Sequence, residues 1–181
     1  RRQRQMCIRD RSFTVSIADG RGGSINQTIT VTLLGTNDGP SISIGNADSA
    51  TATLSESNAG LTTSGTLSIA DPDLNTTSLS PNLLSVTTSG NTNGLITSNA
   101  DLLSMLQLNA GALSSGQGSL SWTFDSGNEF FDYLAAGESL TLTYSFSVTD
   151  PDGAASSPQS ISITVNGSND GPQLIGASTD I

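Results

Sequence analysis

The run LTLTYSFSV, residues 140–148, alternates apolar and polar side chains without a break. Successive side chains of an extended strand point to opposite faces, so Leu140, Leu142, Tyr144, Phe146 and Val148 share one side. Such a pattern suits a strand with one face in a core and the other in water; wound as a helix, it would scatter its apolar residues around the axis. The same period recurs along the chain. ISITV aligns Ile161, Ile163 and Val165; SLSWTF aligns Leu120, Trp122 and Phe124; GTLSIA aligns Leu67 and Ile69. SISIG adds Ile42 and Ile44, and TITVTL adds Ile29, Val31 and Leu33. Gly, Asn, Asp, Ser or Pro bounds each run, and these are the residues that turn a chain. The reading is an all-β chain folded as an antiparallel β-sandwich, with Trp122, Phe124, Tyr144 and Phe146 in its core. One helix is expected in NADLLSMLQL, with Asn99 as N-cap, Asp101 in the first turn and Leu102, Met105 and Leu106 at helical spacing. A short turn over EFFDYLAAG should end at Gly137. Residues 75–118 carry the weakest pattern and read as an insertion decorating the sandwich.

The ends of these runs repeat. GTNDGP, residues 35–40, returns as GSNDGP, residues 167–172, and FTVSIADG, residues 13–20, returns as FSVTDPDG, residues 146–153. Phe13 and Asp19 stand 133 residues before Phe146 and Asp152, whereas Gly35 stands 132 before Gly167, so one residue is lost between the strands. A period of this size is that of a domain and not of a solenoid turn. The expected organisation is the last hairpin and linker of one repeat (12–38), one complete repeat (39–170) and the start of another (171–181). Pro40 and Pro172 mark the seams, because proline restrains the residue before it to extended conformations.

RRQRQMCIRDR, residues 1–11, holds five of the six basic residues and the only cysteine. QMCIRDR resembles a translated sequencing-adapter scar, and residues 1–11 are set aside as a non-native or disordered tail. The remaining residues carry fifteen acidic groups and one basic group, Arg21, for a net charge of −14. That charge speaks against nucleic acid, whose phosphates are met by Lys and Arg. Without His, and without Cys after residue 11, neither a His-based triad nor an ordinary zinc site can be assembled. No apolar run approaches the length of a membrane-spanning helix, so no membrane insertion is expected. The acidic, cysteine-poor, Ser/Thr/Asn/Gly-rich composition suits an extracellular protein, secreted or on a cell surface.

In an immunoglobulin-like sandwich, the loop after the second strand and the loop between the last two strands lie at one end. Here those loops are DPDLN, with Asp71 and Asp73, and DPDG, with Asp150 and Asp152; the linker residues Asn37 and Asp38 enter at the same end. Each residue alone is ordinary turn chemistry. Their convergence, without Lys or His to answer the charge, favours a hard cation on oxygen ligands, Ca2+ before Mg2+.

GTLSIADPD, WTFDSGNEFFDYLAAGESLTLTYSFSVTDPDG and ITVNGSNDGP together resemble the VCBS repeat and, more loosely, the cadherin-like modules of large bacterial surface adhesins. The resemblance covers most of 39–172. It implies type I-secreted proteins of many repeats, active in adhesion and biofilm, that touch a surface receptor or glycan through a remote domain. It also implies Ca2+ between successive repeats. Asn37, Asp38, Asp71, Asp73, Asp150 and Asp152 would then serve the upper junction, and Glu56, Asn169 and Asp170 the lower one. The chain departs from the cadherin linker, since Gly35 and Gly167 stand where an Asp is expected. The expected function is a spacer repeat with Ca2+-stiffened joints and neighbouring repeats as partners. A glycan- or ligand-binding module is the alternative. A glycosidase using two of Glu129, Asp132 and Glu138 would need paired carboxylates in a cleft, and the expectation is that the chain is not an enzyme.

Overall fold

A computed structural model of the chain describes residues 8–171. It divides into two compact units, Arg1–Asp38 and Gly39–Ile181.

The described part of the first unit is a hairpin of β1 (Ile8–Ala18) and β2 (Ser24–Leu34), antiparallel, with Ala18 opposite Ser24 and Phe13 opposite Ile29. Asp19 closes its turn. Its amide donates to the Gly23 carbonyl at 3.0 Å, and its Oδ1 accepts from the amides of Arg21 at 2.8 Å and Gly23 at 2.9 Å. Phe13, Val15, Ile17, Ile25, Ile29 and Val31 share one face, and all of them are exposed. Ile8–Arg11 continue β1, so the expected tail is part of a strand from Ile8 onward; residues 1–7 lie outside the described residues.

The second unit is a sandwich of two four-stranded sheets. Its strands are β3 (Ser41–Ser43), β4 (Thr51–Ser55), β5 (Thr62–Ala70), β6 (Ser80–Gly90), β7 (Leu106–Ala110), β8 (Gln117–Asp125), β9 (Ser139–Thr149) and β10 (Gln159–Asn166). One sheet runs β4-β10-β9-β6 and the other β3-β5-β8-β7. Lettered in chain order this is the ABED/GFC arrangement of an immunoglobulin-like fold, with β4 added parallel to β10. The alternation read from the sequence is realised in the core: Leu140, Leu142, Tyr144, Phe146 and Val148 meet Leu120, Trp122 and Phe124, and all are at most 1% exposed. Trp122 Nε1 donates to the Ser49 carbonyl at 2.8 Å, and a Cβ on Gly65 would lie 2.5 Å from its ring, so only glycine fits beneath the indole. Tyr144 OH, deep in the core, donates to the Leu102 carbonyl at 2.9 Å.

Three expectations change. Residues 75–118 are no decoration, for they supply β6, β7 and the helix α1 (Asn99–Ser104), thus one strand to each sheet. The N-cap of α1 is Ser98, not Asn99, its Oγ accepting from the Asp101 amide. Ile44 leaves the sheet and is exposed, because β3 stops at Ser43 and the chain turns where the Gly45 amide bonds Asp48 Oδ2 at 2.7 Å.

The two hairpins match turn for turn. The Asp150 amide donates to the Ala154 carbonyl at 2.9 Å as that of Asp19 does to Gly23, and its Oδ1 accepts from Gly153 at 2.6 Å and Ala154 at 2.9 Å where Asp19 Oδ1 accepts from Arg21 and Gly23, so the amide four residues on is common to both. Gly22 and Gly153 occupy the same left-handed position, φ 96° and 98°. Tyr144 stands opposite Ile161 as Phe13 stands opposite Ile29. The counterparts are therefore Asp19 with Asp150 and Phe13 with Tyr144, two places from the alignment read in the sequence. The odd residue is an insertion at Ser157–Pro158, since Ser156 bonds Val148 while Gln159 already pairs with Phe146; two residues there oppose one, which is a β-bulge.

Candidate functional site

Acidic residues gather at both ends of the sandwich. At one end Ser41 pairs with Ala70, Ala70 with Gln117 and Ser80 with Thr149, so the two D-P-D loops lie together beside the start of β3. Asp71 and Asp150 are buried there, Asp73 is half-buried and Asp152 is exposed. Asp71 Oδ1 accepts from the Asp73 amide at 2.8 Å, which is an Asx-turn. Asp150 Oδ1 is likewise engaged by its own turn. One oxygen of each buried carboxylate thus organises backbone. Asn37 and Asp38 are exposed in the segment that ends the first unit.

The opposite end differs. Glu56 follows β4, and its amide donates to the Asn166 carbonyl at 2.8 Å, which ties it to the end of β10. The side chain is only 4% exposed. Its Oε1 accepts from the amide of Ser168 at 2.9 Å and from the Ser168 hydroxyl at 2.5 Å. Its Oε2 is buried, and the hydrogen bond that Asp132 can make to Glu56 needs the Asp132 carboxyl to be protonated. An unanswered buried carboxylate oxygen is costly, so a donor or a cation belongs there.

Asp132 faces Glu56. The carboxyl of Asp132 is pushed above the usual carboxylate range by desolvation, then by the charges of Glu56, Asp170 and Glu129, and a hydrogen bond to Glu56 favours its protonated form. When both groups are ionised, acceptor meets acceptor. Residues 22–181 contain no Lys, Arg or His, so nothing basic in the second unit relieves the repulsion. Asp132, Asp170, Asn58, Phe130 and Gly171 line an open groove of ≈420 Å3. The loop carrying Asp132 is pinned. Gly167 donates to the Glu138 carbonyl at 2.9 Å, Glu138 Oε2 accepts from the Ala135 amide at 3.0 Å, and Phe131 is fully buried with φ 62°. A left-handed conformation is rare for so bulky a residue and holds only where packing imposes it.

Among the described residues no three His, Cys, Asp or Glu side chains form a ready-made metal group. Glu56 and Asp170 lie at one end of the sandwich, with exposed Asn169 beside them. The structure adds Asp132, which the sequence reading had set only among glycosidase carboxylates. The missing signal is tertiary, because no local pattern places residue 132 against residue 56. Hard oxygen donors and uncompensated negative charge are what a divalent cation of the calcium type takes.

The fold is that of an immunoglobulin-like sandwich. No family model and no curated protein matches the chain. Several solved structures are distantly similar in fold. A PapD-like domain of human CEP192 gives a TM-score of 0.42 at 10% identity, covering 75% of this chain and 89% of that one. The CooA pilin subunit of enterotoxigenic Escherichia coli gives 0.37 at 14%, covering 74% and 100%. A variant of the SrpA adhesin of Streptococcus sanguinis gives 0.37 at 12%, covering 71% and 58%. Among the described residues no helix is long and apolar enough to cross a membrane.

Proposed function

We propose that the chain is a spacer segment of a secreted or cell-surface adhesin, built from tandem sandwich repeats whose joints are stiffened by Ca2+. The observation that carries this reading is the match between the hairpins. Each closes its turn with an Asp bonded to two amides, and each leads into N-D-G-P. Residues 12–38 are, on this reading, the end of a preceding repeat. The partners are neighbouring repeats, and the adhesive contact with a receptor or glycan belongs to a remote domain. Glu56, Asn169 and Asp170 serve one joint, and the D-P-D loops serve the other. The alternative, a glycan-binding module, draws no support from Trp122, which is buried and bonded to Ser49.

Binding only to the folded form stabilises it by about 2.7 kcal/mol at one hundred times Kd. In a protein of two complete repeats, removing calcium with a chelator should lower the unfolding temperature and shorten the maximum dimension seen by small-angle scattering. If neither changes, the joints are not ion-stiffened and the acidic loops are turns alone.

A further inference from the structure

We infer that the turn at residues 91–94, between β6 and α1, is a site of self-modification. The Gly94 nitrogen closes on the Asn93 side chain, ammonia leaves, and residue 93 ends as aspartate or isoaspartate. The inference goes beyond the spacer reading and does not depend on it.

The chain has two Asn-Gly steps, Asn93 before Gly94 and Asn166 before Gly167. Asparagine is a thermolabile residue, and glycine after it has no Cβ to shield its nitrogen from the side chain. The fold treats the two steps differently. Asn166 ends β10 between Ser139 and Ser55, its carbonyl accepts from the Glu56 amide at 2.8 Å, and the Gly167 amide donates to the Glu138 carbonyl at 2.9 Å. The Leu134 and Ala135 carbonyl oxygens crowd Gly167 as well, at 2.4 Å from where a Cβ would lie. That nitrogen is occupied and its peptide cannot swing. Asn93 sits instead in an exposed turn. The Leu95 amide donates to the Thr92 carbonyl at 3.2 Å, so Asn93 and Gly94 are the central residues. Gly94 takes φ 107°, the positive sign that the second central residue of a type II turn needs. The Asn93 amide donates to Asn91 Oδ1 at 2.9 Å. Between these two engaged amides, the Gly94 amide has no hydrogen-bond acceptor among the described residues. It is the nitrogen that the reaction needs.

The atoms balance with water as the sole co-reactant. The Gly94 nitrogen gives up its proton and bonds to Asn93 Cγ. The Cγ–Nδ2 bond breaks, ammonia leaves, and a succinimide ring remains. Water opens the ring at Cγ to give aspartate, or at the main-chain carbonyl to give isoaspartate, in which the chain runs through the side chain. Both products add a negative charge, and isoaspartate also lengthens the backbone. Tyr133 stands where this is felt. Its hydroxyl donates to the Asn91 carbonyl at 3.3 Å, and a Cβ on Gly94 would lie 2.8 Å from Tyr133 Cβ. Its chain neighbour Asp132 lines the groove at the Glu56 end, so the turn bears on that loop.

The test is peptide mass mapping of the 181-residue chain after ageing in mildly alkaline buffer, folded and in urea, with chromatography to separate aspartyl from isoaspartyl peptides. In the folded chain Asn93 should convert about tenfold faster than Asn166 or more, since Asn166 must first open locally. In urea the two should convert at like rates, because only the fold distinguishes them. Asn93→Gln, whose longer side chain closes a larger ring more slowly, should keep the thermal midpoint of the folded chain and lose the conversion at this peptide. Amide shifts of Tyr133 and Asp132 should move on ageing in the parent and stay in place in Asn93→Gln. The inference is overturned if Asn93 stays intact in the folded chain while it converts in urea, or if Asn166 converts as fast as Asn93 in the folded chain. Isoaspartate at position 93 with Tyr133 unmoved would overturn the coupling to the groove loop.

Discussion

Gly167 has no room for a side chain, since a Cβ there would sit 2.4 Å from the carbonyl oxygens of Leu134 and Ala135. Position 167 is therefore glycine for steric reasons. The backbone must pass hard against the loop that carries Asp132, and its next residue, Ser168, then meets Glu56. Where a cadherin-like linker has an Asp, this chain has a close backbone approach. Gly167→Ala should cost about 1–3 kcal/mol, the usual range for overpacking, read as a lower denaturation midpoint. An unchanged midpoint would mean that the seam can move aside. Little of this was legible beforehand. GSND shows that the segment recurs, but no one-dimensional pattern announces a glycine squeezed by carbonyls across the fold. Glu56 was reached only through family likeness, and Asp132 was weighed only as a glycosidase carboxylate.

Among the elements, the strands with clean alternation were readable because the core demands it. β9 and β10 bury every second residue completely, so hydropathy and structure carry the same period. β6 escaped notice for an equally physical reason. It begins with Ser-Pro-Asn, its register shifts between Leu83 and Ser85, and Leu84 turns outward, so its apolar residues keep no single phase. A strand of three residues such as β3 is too short to show a period at all, which is how Ile44 came to be assigned inward. The two hairpins allow a controlled comparison. Ile161 and Ile29 are counterparts of like chemistry, yet Ile161 is 0% exposed and Ile29 is 50% exposed. Ile161→Ala should destabilise the main unfolding transition by about 2–5 kcal/mol. Ile29→Ala should shift it by less than about 0.5 kcal/mol, as surface changes do. Equal losses in chemical denaturation would show that both hairpins are covered alike.

For the molecule as a whole, the fold class followed from period two and the turn residues between the runs, and it agrees with the structure; the boundary before Gly39 was read from the repeat. The direction in which each turn spends its aspartate did not follow, because Asp150 looks the same in sequence whether it binds backbone or an ion. A hairpin with a largely apolar face exposed in water is marginal by itself, and the counterpart face in β9–β10 shows what covers such a surface: a facing sheet and strands on both flanks. On the tandem reading proposed above, the remainder of a preceding repeat would supply both.

The parallel pairing of β4 with β10 has a mechanical consequence. β4 lies near the start of the second unit and β10 near its end, joined in register from Thr51 with Ser162 to Ser55 with Asn166. Tension applied through Pro40 and Gly167 would pull these strands past each other along their length. Their hydrogen bonds would then carry the load together and would not open one by one like a zip. The short β3 would peel first, and resistance would follow at the β4–β10 seam. Forced extension measures the unfolding barrier and not equilibrium stability. In single-molecule pulling from the two ends, Ala52→Pro, which cannot keep a backbone donor in the seam, should lower the rupture force far more than it lowers the thermal midpoint. A rupture force unchanged by that substitution would place the mechanical barrier elsewhere in the sandwich.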